Sequence, residues 1–425
     1  MSKRKVLIIG GGPAGMMAAG QAARAGAEVR LYEKMKHPGL KLGITGKGRG
    51  NLTNIAEKAD FIAHFGRTGK FLHQAFGRFF NTELMEFLED LGLKLAVERG
   101  GRVFPTGGRA TEVRTVLQHW IEAAGVRVSN RSPVDELAVN QGQAAGIVVQ
   151  GKTIPADAVI LATGGASYPL TGSTGDGYRL AKAVGHRIIP IRPALVPLET
   201  AGPEAGRMAG LNLRNIKVKM LVEGKKQREA FGEVVFTSFG LSGPVVLTLS
   251  GAAVDAKREG KKVDFSLDLK PALDEQKLEA RLLRDFTARS NEPLSSVLRG
   301  LLPREMVPVC LELTGISPDR LANGITVKER RRLRTWLKDF RLEMVKARPL
   351  EEAIITAGGV DTREIDPRSM ESRLVKGLYF AGEVLDLQAD TGGYNLQAAF
   401  STGWLAGRAA AGGKGAPGGK SDFQG

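Results

Sequence analysis

Three glycines at fixed spacing near the start of the chain carry the clearest chemical signal. Gly10, Gly12 and Gly15 follow the apolar run 6–9, and Pro13 and Ala14 lie between them at the start of an Ala-rich segment. Such a turn lets backbone approach a pyrophosphate, and the following helix N-terminus attracts its negative charge. A second apolar run, 29–32, ends at Glu33, whose carboxylate suits the hydroxyls of an adenosine ribose. The spacing predicts a βαβ unit that binds a dinucleotide.

The same pattern favours FAD as the resident cofactor. The chain carries a single glycine fingerprint of this type, whereas a bound flavin and a separate nicotinamide domain would normally need two. Gly382-Glu383 and the segment 391–397 then introduce a last helix near the C-terminus. The N-terminus of that helix is expected to direct backbone amides at the flavin, where negative charge accumulates on reduction. NAD(P)H is expected as a transient reductant.

The order of strand-like and helix-like segments predicts an α/β fold. We expect a discontinuous Rossmann-like FAD-binding domain formed by residues 1–192 and 354–411. Between these parts, alternating strands over 193–270 predict an inserted β-barrel, and 271–353 is expected to be helical. The tail 412–425, rich in Gly, Lys and Ser, is expected to be disordered.

The charge balance favours a polyanionic partner. The chain has 61 Lys and Arg against 45 Asp and Glu, a formal net charge of +16. The most basic stretch, 328–348, is interpreted as a helix with nine cationic side chains and an apolar stripe. Two readings stay open, a solvated helix face or an anchor for RNA phosphates.

Other features limit the chemistry and the location. Cys310 is the only cysteine, so no disulfide forms within the chain, and a reducing cytoplasm is expected. The five histidines show no ligand spacing, so we expect no catalytic metal. The chain shows neither a signal peptide nor a long apolar run, and we therefore expect no membrane association. The oligomeric state stays open.

Several ordered segments resemble a known family. They are 46–54, 101–105, 162–177, 236–244, 356–360, 377–386 and 391–397. Together they make the chain similar to the BaiN/YhiN-like flavoproteins, often called aminoacetone-oxidase-type FAD enzymes, from Lys5 to about Gly407. The resemblance implies an FAD-binding fold with an inserted barrel and helical region, but it names no substrate. The family usually has Cys where this chain has Gly50, so the proton donor is left unassigned.

The motifs and the resemblance together give a set of expected FAD-binding residues. It comprises Gly10, Gly12, Pro13, Ala14, Gly15, Glu33, Lys34, Lys41, Gly48, Arg49, Asn51, Leu52, Thr53, Ala162, Thr163, Gly164, Gly165, Gly382, Glu383, Gly392, Gly393, Asn395, Leu396 and Gln397. The catalytic residues stay undetermined, with Tyr168, Tyr394 and Asn395 as candidates. For both tyrosines, ring packing is an equally good interpretation.

Three functions are consistent with this sequence. The first is an FAD-dependent oxidoreductase that passes electrons from NAD(P)H to a small organic acceptor or to O₂. The second is an RNA-modifying flavoenzyme that reduces a uracil-type base, in which case the substrate is a nucleobase and RNA is the partner. The third is a flavin-binding redox sensor without turnover.

Overall fold

The computed structural model describes residues 3–412 of the 425. The described chain separates into two compact units, one formed by 3–192 with 354–412 and the other by 193–353. The tail 412–425, predicted to be disordered, lies outside the described residues except for Gly412. No helix within 3–412 has both the length and the apolar composition that a membrane span requires.

A five-stranded parallel sheet forms the centre of the first unit. Its order is Leu378–Phe380, Ala158–Leu161, Lys5–Ile9, Glu28–Tyr32 and Arg127–Ser129. Of the three inner strands, Ala158–Leu161 is fully buried, Lys5–Ile9 exposes only Lys5, and Glu28–Tyr32 exposes Glu28 and Arg30. Burial of this kind is typical of a parallel sheet with helices on its faces. Crossover connections bring the carboxyl ends of these strands to one edge, where α/β proteins bind ligands.

Helices and smaller sheets surround this sheet. The helices of the first unit are Pro13–Arg24, Lys58–Ala63, His73–Arg78, Asn81–Asp90, Ala110–Ala123, Asp176–Ala183 and Tyr394–Ala410. The smaller sheets are Thr53–Asn54 with Arg102–Pro105 and Leu95–Glu98, Glu136–Asn140 with Gln143–Val149 and Lys152–Pro155, and Ile188–Ala194 with Ile355–Val360. The α/β fold class predicted from the sequence is confirmed.

The second unit is built on a closed antiparallel barrel. Its strands, in order around the barrel, are Leu198–Thr200, Gly240–Ser242, Lys225–Thr237, Asn212–Val222, Val263–Asp268 and Phe340–Ala347. Its helices are Glu204–Arg207, Pro244–Arg258, Glu275–Ala288, Leu294–Val297, Met306–Thr314 and Val327–Lys338.

Two of these elements differ from the expected ones. The helix Pro244–Arg258 lies inside the segment expected to be strands, because Val245, Val246, Leu249 and Val254 bury one helical face. The basic stretch 328–348 is not a single helix. The helix ends at Lys338, and the strand Phe340–Ala347 closes the barrel by pairing with Val263–Asp268.

Candidate cofactor and active site

The glycine turn after the first strand leaves an open backbone face. Gly10 has φ +100°, and a Cβ there would lie 2.6 Å from the carbonyl oxygen of Ala162. A Cβ on Gly15 would overlap the carbonyl oxygen of Gly10, so the helix packs directly on the strand end. Gly12 caps the helix without any side-chain partner, and a Cβ added there would meet nothing within 4 Å. The backbone at Gly12 is therefore open at a helix N-terminus, as the binding of a phosphate there requires.

Glu33 lies beside this turn, as the sequence predicts. Its side chain is 8% exposed, and Oε2 accepts a hydrogen bond from the Gly11 N–H at 2.8 Å. Oε1 accepts from the Met35 N–H at 2.7 Å. The carboxylate keeps lone pairs for hydroxyl donors, so its position fits a ribose next to the phosphates.

The loop after the strand Ala158–Leu161 contains Ala162, Thr163, Gly164 and Gly165. A Cβ at Gly165 would collide with Thr356 and Glu383, so this backbone is packed against both side chains. The N–H of the next residue, Ala166, donates to Oγ1 of Thr356 at 2.8 Å. The expected flavin loop is therefore anchored by Thr356, which lies in one of the family segments but was given no role by the sequence analysis.

Lys41 and Glu383, both expected at the cofactor, bind each other. Lys41 Nζ donates to Oε2 of Glu383 at 2.8 Å and to Oγ of Ser167 at 2.7 Å. Glu383 Oε1 also accepts from the Thr356 N–H at 2.9 Å. One network thus connects segments that are hundreds of residues apart in sequence.

The start of the last helix packs against the loop 48–53. Gly393 has φ +99°, and a Cβ there would overlap the carbonyl oxygen of Thr53. The Asn51 amide lies between the Thr53 carbonyl, at 3.2 Å, and the Gly393 N–H, at 3.0 Å. Gly382, against which Ala14 packs, donates its N–H to Oγ1 of Thr402 at 3.0 Å. The start of the last helix therefore packs on the loop 48–53, and Gly382 packs on Ala14 in the glycine turn.

Two side chains of the last helix are engaged within the protein. The Asn395 amide bonds both polar groups of Ala389 and the carbonyl of Asp390. Gln397 is fully buried, accepts from Oγ1 of Thr53 at 2.6 Å and donates to Oγ of Ser401 at 3.0 Å. Internal hydrogen bonds therefore hold both side chains, and their expected role in orienting a flavin stays a prediction.

Two expected cations are paired as well. Arg49 binds Glu98 and lies over the Phe104 ring at 4.4 Å. Lys34 binds Asp176 and the hydroxyl of Thr174. Gly48 and Gly392 lie in the same loops as Arg49 and Gly393, while Leu52 and Leu396 pack into the core of the unit.

The two tyrosine candidates differ in environment. Tyr394 is 7% exposed, and its ring stacks on His64 with 3.9 Å between ring centroids. Burial and the charge of Asp390 raise its pKa, so Tyr394 is a poorer acid than an exposed tyrosine. Tyr168 is only half-buried and holds a left-handed backbone at φ +56°. For Tyr394 the structure favours the ring-packing interpretation.

A histidine–aspartate pair next to Tyr394 was not found by sequence reasoning. His64 Nδ1 lies 2.9 Å from Oδ2 of Asp390, and the two side chains are 35% and 27% exposed. Among the described residues Nε2 has no hydrogen-bond partner. No local spacing could have indicated a pair separated by 326 positions. Such a pair can hold and release a proton.

Gly50, the position at which the family resemblance implies a cysteine, adopts φ +75°. A Cβ at this position would lie 3.0 Å from Cα of Ala110. A cysteine here would therefore be both strained and crowded.

Comparisons with known proteins show the family of the chain. A family described as HI0933-like protein Rossmann domain matches residues 4–409. The Clostridium scindens 3-dehydro-bile acid delta(4,6)-reductase is 34% identical over 96% of this chain and 99% of its own length. The Escherichia coli ribosomal RNA dihydrouridine synthase is 31% identical over 95% of this chain and 97% of its own. The Haemophilus influenzae protein of the same name is 28% identical over 94% of this chain and 96% of its own length.

Two solved structures share the fold. The 3-ketosteroid delta1-dehydrogenase of Sterolibacterium denitrificans has a TM-score of 0.51 and 14% identity over 96% of this chain and all of its own. Escherichia coli quinol fumarate reductase FrdA has a TM-score of 0.50 and 18% identity, and the match covers 99% of this chain and 72% of that protein.

The fold and the relatives are those of an FAD-dependent oxidoreductase. The chain belongs to the HI0933-like Rossmann family, in agreement with the resemblance found in its sequence.

Proposed function

We propose that this protein reduces a carbon–carbon double bond conjugated to a carbonyl group and takes its electrons from NAD(P)H. The names of two relatives describe reductions of this kind, one in a bile acid and one in the uracil ring of RNA. FAD, when bound, supplies the two-electron chemistry that joins NAD(P)H oxidation to reduction of the double bond. The cytoplasm is the expected location, since NAD(P)H is available there.

The observation that carries the cofactor half of this proposal is the open face at Gly12 beside the buried carboxylate of Glu33. The turn 10–15 would hold the pyrophosphate and Glu33 the ribose. The backbone of 162–165 and 382–383, which packs at the same turn, would hold the flavin together with the backbone of 392–393. Lys41 and Glu383 would fix these loops rather than bind the cofactor directly.

Reduction of a double bond adds two electrons and two protons overall, and one proton must come from an acid. We assign that role to His64, which Asp390 orients through Nδ1 and which keeps Nε2 free among the described residues. His64 would then take the acid role that the family resemblance gives to a cysteine at the position of Gly50. Neither Tyr394, whose ring is buried, nor Asn395, whose amide is occupied, offers a comparable group.

The substrate class we infer is a uracil-type base in RNA. A net charge of +16 gives no advantage with a small uncharged substrate, whereas it attracts a polyanion. Two full-length relatives named ribosomal RNA dihydrouridine synthase support the same inference. The bile acid reductase relative supports the competing substrate, a small conjugated ketone.

The test is an assay of the FAD-loaded protein with NADH or NADPH in the absence of oxygen. One arm contains a uridine-containing ribosomal RNA transcript and the other a 3-keto steroid with conjugated double bonds. We expect dihydrouridine in the nuclease-digested transcript and no change in the steroid. Reduction of the steroid alone would reverse the substrate assignment. If NAD(P)H reduces the flavin but neither substrate reacts, the proposed reductase activity is wrong and a redox sensor is favoured.

A further inference from the structure

A groove in the barrel-containing unit is lined by an unusual set of groups. It lies between the helices Met306–Thr314 and Val327–Lys338 and has a volume of about 400 Å³. We call it the Trp336 groove. It is lined by Leu313, Thr314, Lys328, Arg331, Arg332, Thr335, Trp336 and Asp339. Its size is in the range of small-ligand sites, although it is open to solvent.

The cations of the helix Val327–Lys338 divide into two groups. Arg330 and Arg334 both bind Glu279, at 2.5 Å and 3.2 Å, and Lys338 binds Asp268 at 2.6 Å. These three face the body of the unit, and their charges are already compensated.

The cations that line the groove are different. Lys328, Arg331 and Arg332 are exposed, and none of them forms an ion pair with a described residue. Arg332 interacts electrostatically with Glu329, which lies on the same helix and also binds the N-terminal cap of that helix. The only carboxylate in the groove lining is Asp339, which Arg341 binds at 2.7 Å. The groove therefore presents positive charge that is not neutralised within the unit.

Trp336 adds a second, independent observation. Its side chain is 8% exposed, and its ring packs on Phe340 with 4.8 Å between ring centroids. The indole Nε1–H is buried and has no hydrogen-bond partner among the described residues. An indole nitrogen can only donate, and a buried donor without an acceptor costs free energy. An oxygen acceptor that reached the indole N–H would remove that cost.

We propose that the Trp336 groove binds the sugar–phosphate backbone of a single-stranded RNA segment and so anchors the substrate RNA. Guanidinium and ammonium groups bind phosphate oxygens, and the indole N–H and the Thr335 hydroxyl suit phosphate or ribose oxygens. The inference rests on the proposed RNA substrate. It goes further by assigning the binding surface, and it excludes Arg330 and Arg334 from that role because Glu279 already binds them.

The test uses the full-length FAD-loaded protein and a labelled oligouridylate. The triple variant Lys328→Gln, Arg331→Gln, Arg332→Gln removes the three groove charges, all on exposed side chains. The matched control is Lys152→Gln, Lys182→Gln, Lys376→Gln, which removes three exposed charges from the other unit. Affinity is measured over a range of salt concentrations. We expect the groove variant to bind the RNA roughly tenfold to hundredfold more weakly. The slope of its log affinity against log salt concentration should fall in magnitude by about two, the value expected for three lost contacts to single-stranded phosphates.

The control should keep nearly the wild-type slope, and both variants should keep FAD. Equal slopes in the groove variant and the wild type would overturn the groove assignment. That result leaves the proposed function in place, provided that the transcript is still converted. If the wild-type protein binds no RNA at low salt, both the groove assignment and the RNA substrate are wrong. A more specific variant, Trp336→Phe, should weaken binding without changing the slope, since it removes a neutral donor.

Discussion

Glu33 is the residue on which cofactor retention depends most directly. We predict that Glu33→Ala weakens FAD binding roughly tenfold to hundredfold, because one charge-assisted hydrogen bond contributes about 1.5–3 kcal/mol. The FAD affinity of Glu33→Gln should lie between those of the wild type and Glu33→Ala, since an amide oxygen still accepts from the Gly11 N–H. FAD affinity is measured by titrating the protein from which the cofactor has been removed.

The control for this prediction is Glu28→Gln, which changes an exposed acid at the start of the strand Glu28–Tyr32 that Glu33 follows. It should bind FAD like the wild type. Unchanged affinity in Glu33→Ala, with an unchanged melting temperature, would place the adenosine elsewhere.

The His64–Asp390 pair tests the assignment of the proton donor. We predict that His64→Gln lowers the rate of substrate reduction by about 10²–10⁴-fold, the usual contribution of a general acid. Reduction of the flavin by NAD(P)H should change little, because that step does not use the same proton. Both rates are measured separately by stopped-flow absorbance.

Asp390→Asn should cause a smaller loss in the same step, because it affects only the orientation of His64. Equal loss of both half-reactions in His64→Gln would instead indicate a structural role under the Tyr394 ring.

At the scale of elements, His186 joins the end of the helix Asp176–Ala183 to the segment before the strand Leu378–Phe380. Its Nδ1 lies 3.0 Å from Glu364 and its Nε2 2.8 Å from Ser372. Burial lowers the pKa of His186 below its ordinary value of 6.5, although Glu364 acts in the opposite direction.

A depressed folded-state pKa has a defined effect on stability. Between the folded pKa and 6.5 the unfolded chain binds more protons than the folded one. We therefore predict that the His186 contribution is fully present above pH 6.5 and is lost as the pH falls through this window, by up to about 1.4 kcal/mol per pH unit. Urea unfolding of the wild type and His186→Gln across this window checks it. The prediction is contradicted if the free energy of unfolding depends on pH in the same way in the wild type and in His186→Gln.

The elements also show what the sequence could and could not reveal. The glycine turn and Glu33 were predictable because their spacing is set by one local βαβ unit. The helix Pro244–Arg258 was not, since a short apolar run fits both a buried strand and a buried helix. The strand Phe340–Ala347 depends on pairing with Val263–Asp268, which no local pattern of the basic stretch encodes.

The same reasoning applies to the site. Backbone positions such as Gly10 and Gly393 were found from motifs, whereas the partners of Asn395 and Gln397 depend on tertiary contacts. His64 and Asp390 meet only in the folded chain, so neither residue stood out in the sequence.

At the scale of the whole molecule, charge and cofactor chemistry point to one account. An FAD-dependent reductase with a net charge of +16 and unpaired cations around a groove is expected to act on RNA. A reductase for small ketones would need no such surface, and removing its basic groove would leave its activity unchanged.

The most direct test of this account is nucleoside mass spectrometry of ribosomal RNA from cells with and without the gene. The account predicts that deletion removes dihydrouridine from a ribosomal RNA position and that the wild-type gene restores it. A copy with His64→Gln should not restore it, although its product still binds FAD. Unchanged dihydrouridine at every ribosomal RNA position in the deletion strain would contradict the RNA substrate.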